Sequence, residues 1–275
     1  MSYIFVGGAQ RTGTTLVQLV LCQGAGVNPF IQEAGYLRRI LEAYAEETHP
    51  ARIRNYFDSL DDFREFHGAF VRRFLERTRL RLPGTTHLVL KEPTLTRYFP
   101  ELHEFLGDDV RFVCMVRDPR DTICSILKVA ERQVAAGEAD PIPGDRVKTL
   151  CDYYRNFYLP ILNDQHPELL KRILFVRYED LVLAPEATID ALEHWFGLNL
   201  SKGRHNPQPD TGRIDFTSAF DRSSSWHSEL YGKPISADRI GAYKTALAPR
   251  DIAVIENDLA AFFKLFKFET ELQPT

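Results

Sequence analysis

The chain has 275 residues, of which 44% are hydrophobic and 26% charged, and its formal net charge is −4. This composition is typical of a soluble globular protein, and the acidic balance argues against bulk attraction to nucleic acid. No apolar run approaches the roughly 20 residues of a membrane helix, and strand-type residues begin at position 3, so we expect neither a membrane partner nor a signal peptide. The four cysteines lack both disulfide density and metal-ligand spacing, which favours reduced thiols, no metal site and a cytoplasmic protein.

The first predicted element is a strand, Tyr3–Val6, in the segment YIFVGGAQRTGTT, and an amphipathic helical pattern begins at Thr14. A glycine-bearing turn between a strand and a helix N-terminus gathers backbone N–H groups and the positive end of the helix dipole, which favours an anion. The spacing Gly8-x-x-x-x-Gly13 is that of a P-loop, but Thr14 replaces the lysine of an NTPase, and the positive charge lies at Arg11. The sequence therefore predicts a phosphate loop that is altered where a γ-phosphate would be handled.

Three further short apolar runs are predicted as strands: His87–Lys91, Arg111–Val116 and Ile173–Arg177. Helical patterns lie around them: Ala34–Ala45, Leu60–Arg79, Thr96–Leu106, Pro119–Ala136, Asp145–Asn163, Pro185–Phe196 and Pro249–Leu265. Alternating strands and helices predict an α/β protein, a three-layer sandwich with a central parallel sheet. We expect a single domain spanning residues 1–275.

Polar residues follow each predicted strand. Lys91 and Glu92 follow the second strand, Arg117 follows the third, and Tyr178 lies at the end of the fourth. Ligands of open α/β sheets bind outside the carboxyl ends of the strands, so we expect these side chains to share one anion site with the phosphate loop.

The residues after the third strand predict a second anion motif. Asp118 and Pro119 are typical of an N-cap and a first helical position. Ser125 lies two turns further, on the helix face that looks back towards Arg117. A guanidinium with a hydroxyl suits a phosphate monoester. The alternative interpretation makes Ser125 a small residue packed against the sheet.

In this order, the two anion motifs resemble those of sulfotransferases that use 3′-phosphoadenosine 5′-phosphosulfate (PAPS). The family's 5′-phosphosulfate loop is similar to GGAQRTGTT, residues 7–15, and its 3′-phosphate motif is similar to VRDPRDTICSIL, residues 116–127. The segment VRYEDLVLAPEATIDALEHWFGL, residues 176–198, also looks like the family. The resemblance is closest to the protein-tyrosine sulfotransferase branch, and it implies a P-loop-containing sulfotransferase fold.

The resemblance implies transfer of a sulfuryl group from PAPS to a hydroxyl, with no metal. Such a reaction needs a base for the acceptor proton and cations for the charge on oxygen. Glu33 is the predicted base, while Arg11 and Lys91 are predicted to stabilise charge. Glu92 is the alternative base, and Glu33 could instead cap the helix that follows it. The nucleotide-binding residues that the resemblance implies are Gly8, Gln10, Arg11, Thr12, Gly13, Thr14, Thr15, Arg117, Ser125, Tyr178 and Ser225.

Two other functions and the acceptor remain open at this point. A P-loop small-molecule kinase would carry a loop lysine and a Mg²⁺-binding aspartate, and a non-catalytic nucleotide-binding module would not need Glu33.

The family's late lysine falls on Ala242, with Lys244 as a possible substitute. The expected acceptor is either a small hydroxylated molecule or a peptidyl tyrosine, held in part by residues 44–79 and the loop 203–231.

Overall fold

The computed structural model describes residues 2–162, 167–200, 207 and 233–270. Its centre is a sheet of four parallel strands: β1 (Ser2–Gly8), β2 (His87–Lys91), β3 (Val110–Val116) and β4 (Ile173–Arg177). The strand order is β2-β1-β3-β4. The inner strands are almost wholly buried, as their nearly continuous apolar sequences predict for a sheet covered on both faces.

Helices connect the strands and cover the sheet. In chain order they are α1 (Thr14–Leu21), α2 (Gly35–Glu47), α3 (Pro50–Ile53), α4 (Leu60–Leu80), α5 (Phe99–Leu106), α6 (Pro119–Ala135), α7 (Arg146–Leu162), α8 (Pro167–Leu170), α9 (Tyr178–Leu183), α10 (Pro185–Phe196), α11 (Tyr243–Ala246), α12 (Pro249–Asp258) and α13 (Ala260–Phe266). Two 3-10 turns, Pro93–Tyr98 and Gly107–Asp109, flank α5.

The hydrophobic core divides between the two faces of the sheet. Alternate residues of β1 and β3 enter different clusters, because successive strand side chains point to opposite faces. Phe5 and Phe112 pack with α4, α5 and α7, whereas Val6 and Val113 pack with α1 and α10. These two cores on one parallel sheet confirm the predicted three-layer α/β sandwich.

The differences from the sequence-based elements include two divided helices and one expected strand end that begins a helix. The predicted helix Thr96–Leu106 is a 3-10 turn followed by α5, because Pro100 lacks the N–H that would continue one helix through this point. The predicted helix Pro249–Leu265 is interrupted at Leu259, which separates α12 from α13. The sequence places Tyr178 at the end of the fourth strand, but it begins α9, whose first turn carries acidic residues that favour a helix N-terminus.

Candidate active site

The phosphate loop needs glycine at two positions. Gly8 has φ 124°, and a Cβ there would lie 2.3 Å from the carbonyl oxygen of Met115. Gly13 has φ 95°, and its Cβ would lie 2.8 Å from the Tyr178 ring. Arg11 also has a left-handed φ of 72°, a conformation that few non-glycine residues adopt. The loop therefore winds tightly between the end of β3 and Tyr178.

Buried hydroxyl groups fix the loop from beneath. The Gly8 N–H donates to Thr96 Oγ1 at 2.5 Å, and the Ala9 N–H donates to the Tyr158 hydroxyl at 3.1 Å. Tyr158 in turn donates to a β3 carbonyl at 3.0 Å. The fully buried Thr12 donates its hydroxyl to Ala9 O at 2.6 Å. These bonds hold the first turn of the loop in one conformation.

The second anion motif contacts the phosphate loop directly. Asp118 caps α6 by accepting the Arg120 N–H at 2.8 Å, which fixes the start of the helix beside β3. Arg11 Nε donates to Ser125 Oγ at 3.1 Å, and Arg117 Nη1 donates to Arg11 O at 3.1 Å. Residues from two strand ends thus share one site, as the sequence predicts. Ser125 faces this site and does not merely pack against the sheet.

Arg117 is buried, and some of its guanidinium N–H groups have no partner among the described residues. Its guanidinium lies 4.5 Å from the Tyr178 ring centroid, and Nη2 donates to Arg239 O at 2.6 Å. Nη2 also lies 3.8 Å from Asp121 Oδ2. Among the described residues, Arg117 Nε is buried without a hydrogen-bond partner. Because a guanidinium carries five N–H donors, several remain for an anion.

Asp121 ties a late segment of the chain to this motif. Its carboxylate accepts the N–H of Gly241 at 2.7 Å and that of Tyr243 at 3.0 Å. Burial raises the pKa of Asp121, while the Arg117 cation and the two backbone donors oppose that rise. The arrangement brings Arg239 to the cleft.

Glu33 and Lys91 form an ion pair at the end of β2. Lys91 Nζ donates to Glu33 Oε1 at 2.5 Å. The Lys91 side chain is 5% exposed and that of Glu33 is 56% exposed, so the carboxylate lies at the surface and the ammonium beneath it. Asn28 positions this segment by pairing with the Val89 main chain, and the Ala34 N–H donates to Lys91 O at 2.8 Å. The side-chain partner of Glu33 is thus Lys91, with no capping bond to α2 among its described contacts.

Glu92, the adjacent acid, has a different environment. Its buried carboxylate accepts the Leu95 N–H at 3.0 Å and lies 3.6 Å from Arg38 Nε. Burial is the main cause that raises the pKa of Glu92, and the nearby Glu33 raises it further. Glu92 caps a 3-10 turn and does not line the cleft described next.

A cleft of about 790 Å³ opens at this end of the sheet. Ten of the predicted site residues line it: Gln10, Arg11, Gly13, Thr14, Thr15, Glu33, Lys91, Arg117, Ser125 and Tyr178. Gly8 and Thr12 lie behind the lining with the bonds given above, and Ser225 lies outside the described residues. None of the lining residues in the described part of the chain comes from residues 44–79. Of the loop 203–231, Pro207 lines the cleft, and the other residues lie outside the described ranges.

Sequence analysis missed four basic residues of the cleft, Lys128, Arg132, Lys233 and Arg239. Lys128 and Arg132 follow Ser125 by three and seven residues, a helical spacing that could have identified them. No comparable signal points to Lys233 or Arg239, which come after a long loop-like sequence. Ala242 lines the cleft, whereas the Lys244 ammonium lies over the Tyr243 ring, 6.0 Å from its centroid.

Comparison with known proteins now identifies the family. Residues 3–202 match the sequence profile of the Sulfotransferase family. The chain belongs to the sulfotransferase family. No curated protein matches the sulfotransferase sequence at a significant level.

Several solved sulfotransferase structures share the fold. The sulfotransferase domain from the curacin biosynthetic pathway matches with a TM-score of 0.66 and 17% identity, covering 98% of each chain. The sulfotransferase domain of the Synechococcus PCC 7002 olefin synthase matches with a TM-score of 0.60 and 16% identity, covering 98% of this chain and 94% of that one. Sulfotransferase STF9 from Mycobacterium avium matches with a TM-score of 0.56 and 14% identity, covering 99% of this chain and 78% of that one. At these identities, the similarity is one of fold.

Two observations bear on the wider expectations. Within the described ranges, no helix has the length and apolar character needed to cross a bilayer. All four cysteines are free thiols, and Cys114, Cys124 and Cys151 are buried.

Proposed function

We propose that this sulfotransferase binds PAPS in the cleft and transfers its sulfuryl group to an acceptor hydroxyl, with Glu33 as the general base. The observation that carries the proposal is the direct link between the two anion motifs, through Arg11–Ser125 and Arg117–Arg11 contacts, in the cleft that also holds Glu33 and Lys91. PAPS supplies an activated sulfuryl group and, unlike ATP, carries a separate 3′-phosphate.

The residues present fit this donor. The glycines of the loop permit its tight turn, because a Cβ at Gly8 or Gly13 would collide with Met115 or Tyr178. The N-terminus of α1 and Arg11 suit the 5′-phosphosulfate. Arg117, with its unpartnered buried Nε, and Ser125 suit the 3′-phosphate. The two anion sites can therefore serve the two charged ends of one nucleotide.

The chemistry assigned to the chain is one proton transfer and stabilisation of charge. Glu33 accepts the proton of the acceptor hydroxyl as that oxygen bonds to sulfur and the bond from sulfur to the bridging oxygen breaks. Lys91 and Arg11 stabilise negative charge on the bridging and sulfuryl oxygens. The products are a sulfate ester and adenosine 3′,5′-bisphosphate. The acceptor is a small phenol or alcohol, or a peptidyl tyrosine.

The environments of the two acids favour Glu33 over Glu92 as the base. A base must reach the acceptor proton within hydrogen-bond distance, directly or through one water. The Glu33 carboxylate is exposed to the cleft, whereas that of Glu92 is buried and already accepts a backbone N–H. Glu33 lines the cleft and Glu92 does not, so Glu33 is the acid that an acceptor in the cleft would meet.

Binding of two nucleotides tests the donor assignment. Arg117→Ala should weaken adenosine 3′,5′-bisphosphate binding by about 10–150-fold, the usual effect of losing hydrogen bonds to a charged group. Adenosine 5′-phosphosulfate, which lacks the 3′-phosphate, should lose little affinity. Ser125→Ala should show the same selectivity with a smaller loss. Calorimetry measures all four affinities.

Arg177→Ala is the matched control, because Arg177 ends β4 and its guanidinium pairs with Asp180 outside the cleft lining. This variant should bind both nucleotides normally. Equal losses for the two nucleotides in Arg117→Ala, or tight Mg²⁺-dependent ATP binding by the unaltered protein, would contradict the PAPS assignment.

A further inference from the structure

A second groove, of about 420 Å³, lies away from the cleft between the start of α2 and the C-terminal half of α4. We call it the arginine groove. Its lining combines exposed aromatic rings with arginines, and it comprises Tyr36, Phe70, Arg73, Phe74, Arg77, Thr78 and Arg81. None of these residues has a part in the proposed sulfuryl transfer.

Three arginines of this groove lack partners. The side chains of Arg73, Arg77 and Arg81 are exposed and make no hydrogen bond or ion pair with any described residue. Other arginines of α4 are engaged: Arg72 donates to Phe105 O at 2.6 Å, and Arg79 pairs with Glu76. The pairing of Glu76 with Arg79 leaves the groove-facing arginines uncompensated. The chain, whose net charge is −4, thus concentrates positive charge on this face.

The spacing of these cations defines the anion that would match them. Residues four apart on a helix lie about 6 Å apart along its axis, so Arg73, Arg77 and Arg81 form a row spanning about 12 Å. The row is matched by several carboxylates at similar separations, each able to take a guanidinium in a two-bond contact. A single small anion would engage one end of the row only.

The aromatic residues indicate a protein surface as the occupant. Tyr36 is 62% exposed and Phe70 42% exposed, and the Tyr36 ring packs against Phe74 with centroids 5.5 Å apart. Arginine beside exposed aromatic rings is the composition that protein interfaces favour at their centres. Polybasic membrane-binding clusters usually carry four to eight cations, and duplex-binding proteins often neutralise about six or more phosphates. Three arginines fall short of both.

We propose that the arginine groove docks an acidic segment of a partner protein, one that presents carboxylates about one helical turn apart. The docking does not depend on the nature of the reaction in the cleft.

Peptide binding tests this surface. The probe is a fluorescein-labelled alanine-rich helical peptide of about 16 residues with glutamate at every fourth position. A second peptide carries glutamine at those positions. We expect the glutamate peptide, but not the glutamine peptide, to bind the full-length protein. The triple variant Arg73→Gln, Arg77→Gln and Arg81→Gln should weaken that binding about 10–100-fold, as the loss of three exposed ion pairs allows.

A second triple variant with the same charge change is the control: Arg54→Gln, Arg250→Gln and Lys264→Gln, three exposed cations outside the groove. It should bind the peptide normally. Equal losses in both triples would show a general charge effect and overturn the proposal. The absence of peptide binding would also overturn the proposal. If a single-stranded RNA oligomer or phosphatidylserine vesicles instead bind more tightly than the peptide and lose that binding in the groove triple variant, the proposal is overturned as well.

Discussion

The phosphate loop and the Glu33 segment line one cleft, but they are built in opposite ways. In the loop, the Gly8 and Ala9 N–H groups and the Thr12 hydroxyl all bond to buried partners. In the other segment, hydrogen bonds fix the main chain, while the Glu33 carboxylate remains 56% exposed above Lys91. A donor site needs a rigid cradle, whereas a base must be reached by the acceptor. The contrast predicts that the two regions fail differently when they are altered.

Glu33→Gln should have the largest effect. Loss of the base should lower kcat by about 10²–10⁴-fold, the usual contribution of general base catalysis. Adenosine 3′,5′-bisphosphate should bind with nearly unchanged affinity, because the side-chain partner of Glu33 is Lys91 and not a residue of either anion motif. Steady-state kinetics with PAPS and a phenolic acceptor, together with calorimetry, separate the two quantities.

Glu92→Gln is the matched control for that prediction. It makes the same chemical change one residue beyond Lys91, at a buried side chain that caps a turn. Its kcat should stay within a few-fold of the unaltered protein. A large loss of kcat in Glu92→Gln, with a normal rate in Glu33→Gln, would show that the base is Glu92.

Lys91→Met and Arg11→Ala should each lower kcat on the order of 10²–10³-fold, the effect of removing one transition-state donor. They differ in binding: Arg11→Ala should also weaken the nucleotide, since Arg11 belongs to the loop and contacts Ser125. Lys91→Met removes the partner of Glu33 and should leave nucleotide affinity near normal. Rates and affinities of the two variants, measured side by side, check this difference. A normal rate for Lys91→Met would remove Lys91 from the mechanism.

The same contrast explains how far sequence reasoning reaches. Local sequence signals made much of the site predictable: the glycines and Thr14 mark the loop, and Asp118–Pro119 marks the start of α6. The four strands were predictable from their short apolar runs. The Glu33–Lys91 pair joins residues far apart in sequence, and the residues alone left Glu92 open as the base. Two side-chain bonds distinguish Glu33 from Glu92 as the base: the Leu95 N–H donates to Glu92, and Lys91 donates to Glu33. Both bonds depend on how α2 and β2 pack. Tyr158 and Thr96 gave no signal either, because their hydroxyls act on the loop only through the tertiary fold.

Tyr158→Phe tests the rigidity of the loop with a smaller expected effect. The change removes the acceptor for the Ala9 N–H and the donor to β3, and each neutral hydrogen bond contributes about 0.5–1.5 kcal/mol. Affinity for adenosine 3′,5′-bisphosphate should fall roughly 3–10-fold, as expected for about 1 kcal/mol of lost support. Tm should fall by several degrees, on the order of 2–4 °C per kcal/mol. Calorimetry and thermal unfolding measure both.

Tyr44→Phe is the control for this variant. Tyr44 is a buried tyrosine of α2 that packs against Phe63 and Phe105, away from the cleft, with its hydroxyl near the Arg64 cation. It should lower Tm without changing nucleotide affinity. If Tyr158→Phe behaves in the same way, the buried bonds beneath the loop stabilise the fold without shaping the donor site.

The smallest effect concerns the dependence of stability on pH at Glu92. Burial raises the pKa of this carboxyl in the folded protein above its ordinary value of 4.5. As pH rises above 4.5, the unfolded chain therefore loses the proton first, and folding becomes less favourable until the folded-state pKa has been passed. Glu92→Gln should remove this contribution, so that Tm falls less between pH 4.5 and 8 than in the unaltered protein. The change in stability at neutral pH should be modest, on the order of 1 kcal/mol or less. The variant no longer buries a charged carboxylate, which stabilises the fold, but it also loses the contact with Arg38, which offsets that gain. Thermal unfolding across this range measures the slope, and an unchanged slope would mean that Glu92 does not carry the burial penalty.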